Sequence, residues 1–307
     1  MSGPLLNLWP HLWRSLLPVM KPAGGALACC VLVLALTHAE RGSYPFLTPA
    51  TIVAAVVFGL TALIELWRVR WIWSFGAEIR RFRTLRNSRI TLHYPPELEG
   101  KRDFAGLLQD CQGELDELTV RFGFSLRGRV VVYLFSNSAD VGRFFGPVYI
   151  AYAFFFANII IVANDTVLRE MIRHELAHLY SARWNRRAPL LFSEGISVWL
   201  QETASGQPID TAAQPLLLDQ SLKLSLFLDP SFFQSQSRCL ACYILAGSFT
   251  GFLIRRHGWK QYRHFYWLCD SERFHAQFQM CFGVGLEEAE RMWREEILPG
   301  EGRKGFG

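Results

Sequence analysis

This sequence lacks a recognisable cysteine framework. The chain of 307 residues contains 7 cysteines, and an odd number in a protein of this length argues against a disulfide framework. No second C-x-x-C pair completes a zinc site with Cys239-Leu240-Ala241-Cys242, and no flanking βαβ pattern makes it a redox motif. We therefore interpret Cys239 and Cys242 as ordinary buried thiols on a helix. Reduced thiols of this kind are typical of a cytosolic setting.

Charged residues are also few, and no nucleic-acid-binding motif is present. Only 19% of the residues are charged, whereas 50% are hydrophobic, which is high for a soluble protein. The net charge of +5 comes mostly from basic residues near the N-terminal third, so it concerns membrane topology more than a nucleic-acid partner. We expect membrane segments and no nucleic-acid partner.

Two uncharged stretches near the N-terminus predict two transmembrane helices within residues 23–67. The stretches are residues 23–39 and 46–64, and the short connection between them suits a tight helical hairpin. A cleaved signal peptide that ends near Ala39 is a competing interpretation of the first stretch. Residues 1–22 place leucines and tryptophans at helical spacing and predict an interfacial segment, with a disordered leader as the alternative.

The arginines that follow the second stretch predict the orientation of the chain. Seven of them lie in residues 68–89, which we interpret as a basic juxtamembrane linker, whereas the hairpin loop holds only Arg41 beside Glu40. Because basic residues flank membrane helices on the cytoplasmic side, the large C-terminal part is expected in the cytoplasm. The sequence thus predicts an integral membrane protein, of the bacterial inner membrane, anchored in the lipid bilayer.

Residues 90–298 have the mixed pattern of an α+β domain, and residues 299–307 are expected to form a flexible tail. The first predicted elements are a strand Ile90–Tyr94, a helix Asp103–Phe122, a strand Arg129–Phe135 and a short helix Ser138–Phe145. Apolar residues 148–162 predict two strands around Ala157-Asn158, with a third membrane span as the alternative. Beyond a polar connection at 204–214 the chain is mostly helical, and residues 241–254 predict a core helix too short to span a bilayer.

The sequence Arg173-His174-Glu175-Leu176-Ala177-His178 contains the pattern H-E-x-x-H. Positions four apart lie on one face of a helix, so His174 and His178 can bind one metal ion together, with Glu175 beside it. Neutral imidazole suits zinc, and a catalytic zinc site takes three protein ligands and leaves a position for water. We expect Asp165 to cap the start of this helix. The alternative is a pair of metal-free core histidines.

A third ligand is therefore required, and Glu194 on the next predicted helix is our choice. Gly195 beside it costs about 1 kcal/mol relative to Ala inside a helix, which suggests that the two helices approach closely there. Glu202 lies two turns further along the same helix and is the competing carboxylate.

At this point the chain resembles a known group, the gluzincin metallopeptidases, and in particular the peptidase MA-like family. The resemblance rests on His-Glu-Leu-Ala-His followed by Pro189 and Glu194-Gly195, and it extends over about residues 90–298. It implies a zincin-like domain with a small mixed β-sheet and a helical C-terminal lobe, in which the second strand of residues 148–162 is the sheet edge that borders the cleft. One departure is Val198, which stands where the thermolysin branch has an Asp that orients a ligand. Other residues must therefore orient the histidines.

The resemblance implies zinc ligation by His174, His178 and Glu194, with Glu175 as general base and Tyr243 as a donor to the oxyanion. The expected function is a membrane-anchored zinc-dependent peptidase that hydrolyses peptide or protein substrates through a zinc-activated water. The alternative is a catalytically inactive, zinc-stabilised scaffold that binds a membrane or peptide partner. Cleavage specificity and oligomeric state stay open at this stage.

Overall fold

The computed structural model describes residues 74–146, 149–235 and 239–298. The chain divides into two compact units, residues 1–82 and 83–307. The predicted interfacial segment 1–22, the two predicted spans within 23–67 and the predicted tail 299–307 lie outside the described residues. In the described part of the first unit, residues 74–79 are helical.

The second unit begins with a mixed five-stranded sheet. Its strands are β1 (Arg83–Arg86), β2 (Ile90–Tyr94), β3 (Val130–Phe135), β4 (Ala151–Phe154) and β5 (Ile159–Ala163), in the spatial order β1-β2-β3-β5-β4. The pairs β2-β3 and β3-β5 are parallel, whereas β1-β2 and β4-β5 are antiparallel. Because β1 lies within the stretch 68–89 that was predicted to be a linker, the sheet begins before the expected domain start at residue 90.

The order of the last two strands corrects the expected position of the sheet edge. Strands around Ala157-Asn158 are present, but the first of them, β4, is the edge, and β5 lies between β3 and β4. The physical reason is burial on both faces: every residue of β5 is buried, which suits an interior strand, while β4 is only half-buried. Asn158 takes the left-handed conformation that the tight turn between them requires, with φ of 51°.

Two helices connect the strands, and their ends follow from capping residues. Helix α1 (Phe104–Phe122) links β2 to β3, with the Asp103 side chain accepting a hydrogen bond from the amide of Gly106. Gly123 ends the helix at φ of 76°, a backbone conformation that favours glycine. Helix α2 (Ser138–Phe145) follows β3. The predicted bounds of both helices are confirmed to within a residue.

The rest of the described chain is a mainly helical lobe, as predicted, with one two-stranded antiparallel ladder of β6 (Thr203–Ala204) and β7 (Gln207–Pro208). The two helices that carry the metal-site candidates are α3 (Leu168–Trp184) and α4 (Leu190–Gln201). The further helices of four or more residues are α5 (Ile209–Ala213), α6 (Pro230–Phe233), α7 (Cys239–His257), α8 (Trp259–Leu268), α9 (Phe274–Phe282) and α10 (Leu286–Ile297). Asp165 does not cap α3: Val167 occupies that position, and the Asp165 carboxylate accepts a hydrogen bond from the Ser138 hydroxyl at 2.9 Å instead.

Helix α7 is the longest apolar helix of this lobe. At 19 residues it is longer than the sequence predicts, and among the described helices it alone has the length and composition of a possible membrane span. Within the structure 61% of its apolar window is buried by protein, as is usual for a core helix. Gly258, at φ of 83°, follows the last residue of the helix and donates a hydrogen bond from its amide to the carbonyl of Ile254.

Candidate metal centre

Three side chains from α3 and α4 converge on one point. The Nε2 atoms of His174 and His178 lie 3.1 Å apart, and Oε2 of Glu194 lies 3.3 Å from the first and 3.1 Å from the second. All three residues are buried or half-buried. The helical spacing of four stacks the two imidazoles on one face of α3, and α4 brings the carboxylate opposite them.

The spacing of these donor atoms fits a zinc ion. Zinc bonds to imidazole nitrogen and carboxylate oxygen are about 2.0–2.2 Å long, so ligands at the corners of a tetrahedron lie roughly 3.3 Å apart. The three observed separations are close to that value. Two imidazoles and one carboxylate also leave a fourth position open, as catalytic zinc sites do.

The ionisation of Glu194 matches this arrangement. Burial opposes its charged form, but the charges and hydrogen bonds of His178 and His174, when these rings are protonated, hold the pKa of its carboxyl well below its usual range. A divalent cation in place of the protons on the two Nε2 atoms would likewise favour the carboxylate form that a metal ligand must have.

Gln201 orients the ring of His174. Its side-chain Nε2 donates to the main-chain carbonyl of Thr203 at 2.6 Å, and because that oxygen only accepts, the orientation of the amide is defined. Its Oε1 therefore faces Nδ1 of His174, at 3.2 Å. The proton of the imidazole must lie on Nδ1 to make this hydrogen bond, which leaves a lone pair on Nε2, the atom in the cluster. Glu170 continues the chain by accepting from Gln201 Nε2 at 3.4 Å.

The packing of Val198 explains why a different residue, Gln201, orients His174. Val198 is buried, and its side chain occupies the space beside Gly247, where a Cβ would lie 2.4 Å from Val198 Cγ1. The position four residues after Glu194 therefore faces α7 and contributes to packing. Gln201 lies seven residues after Glu194, again on one helical face, and that spacing is the sequence signal that could have identified it.

Glu175 lies next to the cluster in a buried environment. Its side chain is 6% exposed, and burial raises the pKa of the carboxyl to about 8, with a smaller increase from Glu194 and a decrease from His174. A divalent cation on the neighbouring ligands would favour the ionised form. The carboxyl lines the same cavity as His174, His178 and Glu194, where it can exchange a proton with a molecule bound beside them.

Tyr243 on α7 lies across the same cavity. The centre of its ring is 6.1 Å from that of His174, and Phe233 packs edge-on against it at 5.3 Å. Burial, followed by the charge of Glu194, raises the pKa of the phenol far above its ordinary value. The hydroxyl therefore keeps its proton and is able to donate a hydrogen bond.

These groups line a cavity of about 330 Å³ that the edge strand closes on one side. Ala151 and Ala153 of β4, with Tyr152, contribute to its wall, and burial raises the pKa of Tyr152. Tyr149, Tyr152 and Arg186 are lining residues that sequence reasoning missed, since they come from a strand and from loops whose positions depend on tertiary packing.

Arg173, the neighbour of His174, ties α3 to α1 and to the end of α4. It is buried and binds Glu114 at 2.7 Å, Glu117 at 2.6 Å and Glu202 at 2.8 Å. Its Nε donates to the main-chain carbonyl of Leu200. Glu202, the competing carboxylate, is thus an ion-pair partner of Arg173, and among the described residues it does not belong to the three-ligand cluster.

Gly195 marks a close helix contact, but the contact differs from the expected one. A Cβ at this position would lie 2.4 Å from Oγ1 of Thr250 and 2.7 Å from the carbonyl oxygen of Ala246, both on α7. The expectation that Gly195 allows α4 to approach α3 is therefore wrong. The glycine allows α4, which carries Glu194, to pack closely on α7.

Among known proteins, no family model and no curated protein matches the chain. Among solved structures, the chain is similar to native yeast LTA4 hydrolase, with 16% sequence identity and a TM-score of 0.42. The match covers 73% of this chain and 40% of the yeast protein's chain, so this chain spans well under half the length of that protein.

Proposed function

We propose that this protein is a membrane-anchored zinc-dependent peptidase. The observation that carries the proposal is the convergence of His174, His178 and Glu194 at zinc-ligand spacing beside a buried Glu175. A structural zinc site closes its fourth position, usually with Cys or His, and gains nothing from an adjacent carboxyl. The described residues supply no fourth ligand of that kind to this cluster.

His174, His178 and Glu194 would hold the ion. When bound, zinc polarises a carbonyl group and lowers the pKa of a coordinated water to about 7. The Glu175 carboxylate accepts a proton from the attacking water and passes it to the leaving amine. The Tyr243 hydroxyl donates a hydrogen bond to the oxygen that becomes negatively charged.

The edge strand favours a peptide as substrate. Strand β4 pairs with β5 on one side, and no other described strand pairs with its free side. Its alanines line the cavity beside the three ligands. An extended peptide that pairs with a free strand edge through main-chain hydrogen bonds would lie along this wall.

The membrane anchor and the cytoplasmic position of the site are part of the proposal and rest on the uncharged stretches and arginines near the N-terminus. Reporter domains fused at the C-terminus should be active only when the reporter works in the cytoplasm. Digestion of the C-terminal part by protease added to spheroplasts, in which the outer face of the inner membrane is accessible, would contradict this orientation.

Metal analysis tests the ligands. Purified full-length protein should contain about one zinc per chain, and His174→Ala or His178→Ala should lose it because two ligands make an inadequate site. His264 is an exposed histidine on α8 and provides the control, since His264→Ala should keep the metal. Zinc retained by both cluster variants would refute the metal site.

The variant Glu175→Gln separates an enzyme from a scaffold. It keeps the size of the side chain and removes its basicity, so zinc content should stay near wild type. Cleavage of a synthetic peptide pool, followed by mass spectrometry, should fall about 10²- to 10⁴-fold, as expected for a lost general base. A scaffold predicts instead that Glu175→Gln restores the function of a deletion strain fully while His174→Ala does not.

A further inference from the structure

The cavity continues past the three ligands along α3 toward the loop that joins α3 to α4. Ser181, Ala182, Asn185 and Arg186 follow His178 in sequence and line this part of the cavity. Serine and alanine side chains are short, so they leave a clear path along the helix. At about 1.5 Å per residue, Arg186 lies roughly 10–12 Å beyond His178 along the direction of the helix.

Arg186 is the one lysine or arginine among the residues that line this cavity. No described carboxylate forms an ion pair with it, and the stretch 181–193 contains three arginines and no acidic residue. Residues 149–163 of the hairpin opposite also contain no acidic residue. This end of the cleft is therefore positively charged, and neither of these two stretches contains a carboxylate that would neutralise the charge.

Arg183 adds to this charge. Its guanidinium hydrogen-bonds to the neutral side chain of Asn158 at 2.8 Å, so its charge is not neutralised. Burial, and then repulsion from Arg186, lowers the pKa of Arg183. Repulsion between two guanidinium groups is relieved when an anion binds near them.

The loop holds Arg186 in a defined place. The Asn185 side chain donates to the main-chain carbonyls of Tyr266, at 3.0 Å, and of Cys269, which ties the loop to the end of α8. The Arg186 guanidinium lies over the ring of Phe155 in the hairpin, 5.3 Å from its centre. A cation that is already positioned loses less entropy when it binds a ligand than a free side chain would.

We propose that this end of the cleft is a carboxylate-binding subsite, in which Arg186 selects peptides that carry a negative charge. The inference rests on the proposed peptidase function and names its substrate class. An extended peptide advances about 3.3 Å per residue, so the recognised carboxylate lies about three residues from the cleaved bond. Its source is an acidic side chain or the free C-terminus of the peptide.

The test uses the full-length protein and an equimolar pool of synthetic peptides in which one position at a time carries Glu, Gln or Lys. Each peptide is made with a free and with an amidated C-terminus. At one position, wild type should prefer Glu over Gln by about five- to twentyfold in kcat/KM, a range between an exposed ion pair and a charge-assisted hydrogen bond. A preference that follows the free C-terminus instead identifies a terminal carboxylate.

Arg186→Gln should abolish this preference, and Arg186→Glu should shift it toward Lys. Arg187→Gln is the matched control: it removes the same charge from the adjacent residue, which is exposed like Arg186 but does not line the cavity, and it should leave the preference intact. The subsite is refuted if wild type shows no preference for a carboxylate at any position. It is also refuted if the Arg187 variant loses the preference as completely as the Arg186 variants.

Binding measurements separate this inference from the proposed function. The same peptides are titrated by fluorescence anisotropy against Glu175→Gln and against the double variant Glu175→Gln with Arg186→Gln. If wild type cleaves no peptide but the Glu175 variant still binds Glu peptides more tightly than Gln peptides, the peptidase proposal fails and the subsite stands. Cleavage without any discrimination in this binding assay refutes the subsite alone.

Discussion

Replacing Gln201 with methionine tests whether a neutral amide orients the candidate zinc ligand His174. Methionine keeps the unbranched shape and nearly the volume of glutamine but removes both the acceptor and the donor. In Gln201→Met the buried Nδ1–H of His174 loses its acceptor, and the carbonyl of Thr203 loses its donor. Glu170 loses only its weakest contact, because Thr203 and two main-chain amides continue to bind it.

The magnitude follows from these contacts. Loss of the partner that orients a histidine ligand typically costs 10- to 100-fold in metal affinity, which corresponds to about 1.4–2.7 kcal/mol. Leaving the buried Nδ1–H of His174 unpaired costs about 1–3 kcal/mol in the folded protein whether or not metal is bound, so this cost appears in stability and not in zinc affinity. With about 1 kcal/mol more for the lost hydrogen bond to Thr203, we expect the metal-free protein to lose about 2–4 kcal/mol of unfolding free energy.

The assay is competition for zinc between the protein and a chromophoric chelator, combined with denaturant unfolding of the metal-free protein. Gln214→Met is the matched control, since Gln214 likewise donates to a main-chain carbonyl, that of Ile297 at 3.2 Å, but lies outside the cavity. It should lower stability by about 1 kcal/mol and leave zinc affinity unchanged. A zinc affinity of Gln201→Met within about twofold of wild type would refute the reasoning.

Two further predictions use pairs of like residues. Gly195→Ala should destabilise the protein by about 1–3 kcal/mol, because the added methyl group overlaps with α7. Gly113→Ala, on an open helix surface, should instead stabilise it by up to about 1 kcal/mol, and thermal unfolding measures both changes. Glu194→Gln should lose zinc, whereas Glu202→Gln should keep it, because the side chain of Glu202 is 60% exposed and pairs with Arg173. Metal analysis of the two variants tests this, and loss of zinc from the Glu202 variant would show that the wrong carboxylate was chosen.

Local patterns in the sequence predicted most of the elements around the site. The bounds of α1 and α2 were predicted from apolar spacing, and in the structure Asp103 and Asn137 cap the two helices by accepting hydrogen bonds from the amides of Gly106 and Asp140. Spacing and caps both depend on neighbouring residues alone. The pairing of His174 and His178 also depends only on helical geometry. Such features need no knowledge of which elements meet.

Features that join distant elements could not be derived in this way. The sheet order, with β4 at the edge, depends on which strand can be buried on both faces, and the resemblance suggested the reverse. Gly195 signalled a close contact, but only packing shows that the partner is Thr250 on α7. A glycine in the sequence indicates that space is limited at its position, but it does not indicate which neighbouring residue limits that space.

The sequence by itself determined the two histidines, the adjacent carboxyl of Glu175 and the presence of an α+β domain, because the spacing of residues along helices and strands encodes each of them locally. Only the tertiary structure decided that Glu194 faces the histidines while Glu202 pairs with Arg173, and that Gln201 orients His174. Both carboxylates lie on or at the end of the same helix, so their spacing does not distinguish them. Their roles depend on how α1, α3 and α4 pack together, and a local sequence pattern carries no information about such long-range packing.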